Sequence, residues 1–174
     1  MSIKVVFLDR DGVINKEVGY LHKISDFKFI NGVFDSCNFF LSLGFKIIVI
    51  TNQSGIARGI YKEEDFYKVN NWMINKFQEK GISILDVLYC PHGPNEGCEC
   101  RKPKPGLFLN AKKKYDINMK KSWMIGDKET DIEAANNAGI TQTILVRSGH
   151  EIDEINTIST FTIDSILNAK NILY

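Results

Sequence analysis

Asp9 and Asp11 stand at i and i+2 in Asp9-Arg10-Asp11-Gly12, on a turn that Gly12 makes tight. Two carboxylates so placed can divide a reaction between them. One attacks an electrophile and forms an acyl intermediate, while the other protonates the leaving group and later activates water. A phosphate ester calls for this help, because its charged oxygens repel a nucleophile. Its hydrolysis relies on a divalent cation, fixed donors and an in-line attacking group. Asp127, in Met124-Ile125-Gly126-Asp127-Lys128-Glu129-Thr130-Asp131, adds a third carboxylate for a hard cation such as Mg²⁺. Thr51 and Lys102 offer a hydroxyl and an ammonium to the phosphoryl oxygens. Taken singly each signal is weak, since Asp and Gly favour turns and Gly126-Asp127 also suits a helix cap. Together, in this order and after apolar runs, they point to a phosphatase with Asp9 as nucleophile.

Those residues need elements to carry them. Ile3 to Leu8 is a short apolar run cut off by Asp9, which reads as a buried strand ending in a polar turn. The β-branched run Lys46 to Thr51 reads likewise, and further strands are expected over Leu85–Tyr89, Trp123–Ile125 and Thr143–Val146. Helical spacing is seen over Val33–Leu43, Glu63–Lys80, Leu107–Tyr115 and Glu129–Ala138, with Gly44, Gly81 and Gly139 closing three of these helices. A weaker strand near Phe161 and a closing helix near Ile166 complete the pattern. Strands apolar on both faces alternating with helices predict an α/β fold, a single three-layer α/β/α domain over residues 1–174 with a mainly parallel sheet. In such a sheet the carboxyl ends of the strands share one crevice. Asp9, Thr51 and Asp127 all fall there.

A second cluster has a different chemistry. Cys90-Pro91-His92 and Cys98-Glu99-Cys100 place three thiols and an imidazole within eleven residues, around a loop rich in Gly and Pro. A closed set of four such ligands suits structural, tetrahedral Zn²⁺. Redox chemistry or a disulfide is the competing reading, but Cys98 and Cys100 are awkwardly close for one. The loop runs into Arg101-Lys102-Pro103, so zinc here would organise the approach of two cations to the crevice. Cys37, alone on an apolar helix face, is expected in the core. His22 and His150 have no companion pattern and are expected at the surface or in minor roles.

The four segments Asp9-Arg10-Asp11-Gly12-Val13, Thr51-Asn52-Gln53, Lys102-Pro103 and Gly126-Asp127-x-x-x-Asp131 resemble the motifs of haloacid dehalogenase superfamily phosphatases. The resemblance implies Asp9 as nucleophile, Asp11 as general acid/base, and Thr51 and Lys102 as phosphoryl stabilisers. It implies Mg²⁺ held by Asp9, Asp127 and the Asp11 carbonyl, with Asp131 as an auxiliary carboxylate behind them. Lys102 is preferred over Lys104 because the superfamily pattern places Lys before Pro-x-Pro. About forty residues separate Asp11 from Thr51 and about fifty separate Thr51 from Lys102, spans already filled by core elements, so no cap domain is expected.

With the cysteine loop, the motifs are similar to one subgroup, the bacterial heptose bisphosphate phosphatases and the histidinol-phosphate phosphatases. Thr51 to Gly59 and Gly19-Tyr20-Leu21-His22 resemble the heptose enzymes, whereas the short gap between His92 and Cys98 resembles the histidinol-phosphate type. The heptose reading is weighted more heavily, because loop length varies easily. It implies a small sugar bisphosphate as substrate, lined by Arg10, Glu17, Gly19, Tyr20, Thr51, Asn52, Gln53, Ser54, Arg101, Lys102 and Lys128. The cationic set Arg58, Arg101, Lys102 and Lys128 suits a substrate in which one phosphate reacts and the other is clamped.

Bulk properties narrow the remaining classes. Lys plus Arg number 22 against 21 Asp plus Glu, a net charge of +1. That balance provides no whole-protein field for nucleic acid, which opposes a phosphatase of nucleic-acid ends. A zinc-bearing interaction module with a dead site is opposed by the intact Asp9 and Asp11 pair. No apolar run approaches the roughly 20 residues of a membrane span. The amino terminus leads straight into the first strand without the sections of a signal peptide, so a cytoplasmic protein is expected, and a monomer is expected beside it.

Overall fold

The computed structural model describes residues 2–174. Six strands form one parallel sheet: β1 (Val5–Leu8), β2 (Lys46–Asn52), β3 (Asp86–Cys90), β4 (Trp123–Gly126), β5 (Gln142–Val146) and β6 (Phe161–Ile163), in the order β3-β2-β1-β4-β5-β6. Four helices cover it: α1 (Val33–Ser42), α2 (Glu63–Glu79), α3 (Gly106–Tyr115) and α4 (Glu129–Asn137). This is the expected α/β/α architecture, with element ends shifted by a residue or two. The closing helix differs in kind, being a short 3₁₀ segment over Ile166–Asn171.

Strand alternation explains the layers. Val6 and Leu8 of β1, with Ile47 and Val49 of β2, pack with Val33, Cys37 and Phe40 of α1 and Val69, Met73 and Phe77 of α2. Val5, Phe7, Ile48 and Ile50 turn the other way, onto Leu107, Phe108 and Ala111 of α3 and Ala134 and Ala135 of α4. The inner strands β1, β2, β4 and β5 are buried on both faces, as a period of two with two covered faces requires. β3 is an edge strand and stays half-exposed over most of its length. Cys37 is fully buried in the core, as its lone apolar position predicts.

The connections run outward from β1 to β2 and β3 on one side, and from β4 to β5 and β6 on the other. The strand order therefore reverses between β1 and β4, where their carboxyl ends splay apart and leave a crevice. Asp9 follows β1 and Asp127 follows β4 at that point. Thr51 sits within β2 rather than beyond it. No helix among the described residues is long and apolar enough to cross a membrane.

Candidate active site

A crevice of about 440 Å³ opens at the switch point, lined by Asp9, Asp11, Thr51, Asn52, Gln53, Ser54, Arg101, Lys102, Lys128 and Asp131, with Glu17, Gly19 and Tyr20 among its other lining residues. At its floor Lys102 Nζ donates to Asp9 Oδ1 at 2.8 Å and to the Ile50 carbonyl at 2.9 Å, and lies 2.7 Å from Asp131 Oδ1. Lys104, the alternative lysine, instead pairs with exposed Glu99 at 2.9 Å. The segment carrying Lys102 is pinned to the end of β2 by a reciprocal amide pair: Asn52 Nδ2 donates to the Lys102 carbonyl at 3.3 Å, and the Lys102 N–H donates to Asn52 Oδ1 at 3.2 Å.

Asp9, Asp127 and Asp131 bring carboxylate oxygens within 4.8 Å of one another. Burial pushes Asp9 well above the ordinary carboxylate range; Lys102 opposes the rise while Asp131 and Asp127 add to it. Burial and the nearby Asp131 raise Asp127 to about 6. Asp131 Oδ2 accepts the backbone N–H groups of Asp127 and Lys128, each at 3.1 Å, so Asp131 both caps α4 and faces Lys102. Three carboxylates against one ammonium leave two negative charges when all are ionised, the complement of a divalent ion.

The two oxygens of Asp127 differ in their surroundings. Asp127 Oδ1 is buried without a hydrogen-bond partner, while Oδ2 accepts from the backbone N–H of His150 at 3.0 Å and lies 2.6 Å from its Nδ1. An orphaned carboxylate oxygen beside other oxygens is what a hard cation would satisfy. The Asp127 carboxylate rests in a cradle that only glycine allows: a Cβ at Gly12 or Gly149 would lie 2.2 Å or 2.1 Å from Oδ2, and Gly12 also has φ +88°.

Asp11 is held differently. Its Oδ1 accepts from Asn15 Nδ2 at 2.9 Å, its Oδ2 accepts from Gln53 Nε2 at 3.2 Å, and Arg10 Nη2 donates to both oxygens at 3.1 and 3.0 Å. Gln53 also donates to Thr51 Oγ1 at 2.9 Å and accepts from Tyr61 Oη at 2.5 Å. Asp11 and Thr51 thus share one side-chain amide. Arg10 departs from its expected place lining the substrate: it is fully buried, and its guanidinium lies behind Asp11. Consecutive residues leaving β1 point to opposite sides, so Asp9 and Asp11 face the crevice and Arg10 turns beneath them.

The mouth is formed by the loops around residues 17–22 and 53–61. Glu17 Oε1 accepts the Gly19 N–H at 2.6 Å, and Tyr20 holds a left-handed φ of +48°. Arg58 lies over the Tyr20 ring at 5.9 Å, and His22 stacks on Tyr61 at 5.3 Å. Arg58, Arg101 and Lys128 line this entrance, and none of the ion pairs among the described residues involves them. Arg58, expected in the cationic set, lines the crevice, and Tyr61, Thr130 and His150 join it although no motif marks them as lining residues.

Cys90, His92, Cys98 and Cys100 converge beside the crevice, their ligand atoms all within 4.8 Å. His92 Nδ1 lies 3.2 Å from Cys100 Sγ and 3.5 Å from Cys90 Sγ. All four cysteines are free thiols. Desolvation opposes ionisation of Cys98, but the Arg101 N–H and the neighbouring thiols outweigh it and lower the group to about 7. Three thiols and an imidazole with no other group among them fit a closed, soft-ligand zinc site. Arg101 Nη1 donates to the His92 carbonyl at 3.3 Å, tying the cluster to the crevice mouth.

A parallel sheet with its switch point at an Asp9–Lys102–Asp127 floor defines a phosphatase of the HAD-like class. A family model described as HAD-hydrolase-like matches residues 99–169. A protein of Photorhabdus laumondii named D-glycero-alpha-D-manno-heptose-1,7-bisphosphate 7-phosphatase is 48% identical over 160 residues, covering 88% of this chain and 87% of its own. One of Vibrio cholerae named D-glycero-beta-D-manno-heptose-1,7-bisphosphate 7-phosphatase is 43% identical over 181 residues, covering 99% and 97%. The crystal structure of D,D-heptose 1,7-bisphosphate phosphatase from B. bronchiseptica, complexed with magnesium and phosphate, superposes with a TM-score of 0.86 at 26% identity, covering 97% of both chains. The chain belongs to the heptose-1,7-bisphosphate 7-phosphatase family. The histidinol-phosphate alternative, suggested by the short gap between His92 and Cys98, is not favoured by these relatives.

Proposed function

We propose that the chain removes the 7-phosphate of D-glycero-D-manno-heptose 1,7-bisphosphate through a phospho-aspartate on Asp9, serving nucleotide-heptose synthesis for a surface polysaccharide such as lipopolysaccharide or capsule. The observation that carries this is one crevice holding Asp9, Lys102 and Asp131 at its floor and, at its mouth, the unpaired cations Arg58, Arg101 and Lys128. A bisphosphate matches both ends, one phosphate reacting while the other is clamped.

Asp9 attacks phosphorus and the bond to the leaving oxygen breaks. Asp11, held by Arg10, Asn15 and Gln53, delivers a proton to that oxygen and afterwards takes one from water, which splits the acyl phosphate. Thr51 and Lys102 donate to the phosphoryl oxygens, and Lys102 offsets charge on Asp9. Asp9, Asp127 and the Asp11 carbonyl would hold Mg²⁺, with Asp131 behind them; when bound, the ion neutralises phosphoryl charge and aligns the attack. Glu17, Gly19, Tyr20, Asn52 and Ser54 would contact the sugar bisphosphate. Cys90, His92, Cys98 and Cys100 would hold Zn²⁺, which when bound would order the loop that delivers Arg101. Both sites rest on one sheet, which supports a single domain. The near-balanced charge supports a small-molecule enzyme without nucleic acid, and we place it in the cytoplasm as a monomer.

The test is phosphate release from both anomers of heptose 1,7-bisphosphate and from histidinol phosphate, with the wild-type protein and Asp9→Asn. We expect turnover of a heptose bisphosphate with Mg²⁺, a loss on the order of 10⁴-fold or more in the variant, and an acid-stable phosphoryl adduct on Asp9 in the trapped enzyme. Preference for histidinol phosphate would overturn the substrate. Undiminished activity of Asp9→Asn would overturn the mechanism.

A further inference from the structure

His150 belongs to none of the catalytic motifs, yet its imidazole reaches the deepest carboxylate of the site. We infer that His150 is a positioning residue that fixes Asp127 with Oδ1 turned toward the cation, an inference that rests on the metal-binding role proposed for Asp127.

Asp127 is fully buried, and its two oxygens are treated unequally. Oδ1 has no partner, whereas Oδ2 accepts the His150 backbone N–H at 3.0 Å and sits 2.6 Å from Nδ1 of the same residue. The short contact to a carboxylate makes Nδ1 the protonated ring nitrogen. With the backbone donor alone, the carboxylate plane could swing about its terminal torsion at small cost. With the imidazole added, two donors from one residue hold the same oxygen, and tilting the plane away breaks both bonds. Oδ1 is thereby left as the oxygen a metal must take. Partners that orient a ligating side chain in this way typically govern metal affinity.

The backbone explains how a residue 23 positions away arrives there. β5 pairs with β4 in register, Gly126 beside Leu145, so the chain leaving β5 passes directly by Asp127. Gly149 leaves room for the carboxylate, and Ser148 Oγ donates to the Gly12 carbonyl at 2.7 Å, tying this turn to the one that carries Asp9 and Asp11. The histidine side chain therefore enters a frame already anchored at both ends.

The experiment is calorimetric titration of Mg²⁺ into metal-free wild-type protein and into His150→Ala, His150→Leu and His150→Asn. The leucine keeps bulk without a donor, and the asparagine places an amide N–H where Nδ1 lies. We expect Mg²⁺ affinity to fall on the order of tenfold or more in the alanine and leucine variants and to be largely retained in the asparagine variant. Melting of the metal-free proteins should change little, which separates positioning from folding. Wild-type affinity in either non-donor variant, or an asparagine variant as weak as leucine, overturns the inference. If the wild-type protein itself takes up no Mg²⁺, the metal reading of Asp127 falls first, and that result appears before any variant is compared.

Discussion

Lys102→Met removes the one cation set among three buried carboxylates. In the metal-free protein Nζ lies 2.8 Å from Asp9 and 2.7 Å from Asp131, with both partners and the lysine almost wholly shielded from water. At an effective dielectric near 20, each contact carries about 6 kcal/mol of attraction before desolvation is counted. Most of that is offset by the cost of stripping water from the ammonium. What remains decisive is the charge left behind, and removing one partner of a buried pair costs about 3–5 kcal/mol. For a chain of this size, that lowers the melting midpoint by about 6–20 °C. pH supplies the control. Burial raises Asp9, and raises Asp127 to about 6, above the value of 3.8 for a free side chain. A raised carboxylate contributes stability that is present below the unfolded value and lost as pH climbs through the folded one. Protonation at pH 5 therefore removes charge that Lys102 no longer balances, and the variant's deficit should shrink there. Calorimetric melts in chelator at pH 7.5 and pH 5 measure both effects. A methionine variant within about 2 °C of wild type at pH 7.5, or a deficit that grows at pH 5, would refute the electrostatic account of the site floor.

Two further outcomes follow from the same geometry. Because Mg²⁺ must displace the proton from an Asp127 raised to about 6 and meets a raised Asp9 beside it, its affinity should fall by at least about tenfold per pH unit below that value; titration between pH 5 and 7.5 checks this, and a flat profile contradicts it. Native mass spectrometry should find one zinc per chain, and Cys98→Ser should lose it. That loss should lower melting by several degrees and raise KM for a bisphosphate, since Arg101 is tethered to the His92 carbonyl; a zinc-free variant with unchanged KM would detach the metal from substrate binding.

Much of the site was legible in sequence because its chemistry is local. Asp9 and Asp11 share one turn, Cys90 to Cys100 span one loop, and apolar runs announce the strands that end in each motif. The strands and helices were legible for the same reason, as burial on two faces leaves continuous β-branched runs and burial on one leaves a helical stripe. Element ends were less so, and apolar spacing over a segment as short as Ile166–Asn171 does not distinguish its 3₁₀ turns from α-helix.

The amino-acid sequence by itself determined which groups are candidates for the chemistry: Asp9 with Asp11, Asp127 with Asp131, and the Cys90 to Cys100 loop are residue types at short spacings. Only the tertiary structure decided their relations. The reversal of strand order between β1 and β4 brings Asp9 and Asp127 together across more than a hundred residues. The outward and inward alternation after β1 sends Arg10 behind Asp11 rather than into the crevice. The pairing of β5 with β4 delivers His150 to an oxygen of Asp127 while leaving the other bare. None of these has a spacing to read, because each is set by which strands lie side by side, and that is settled by packing the whole core.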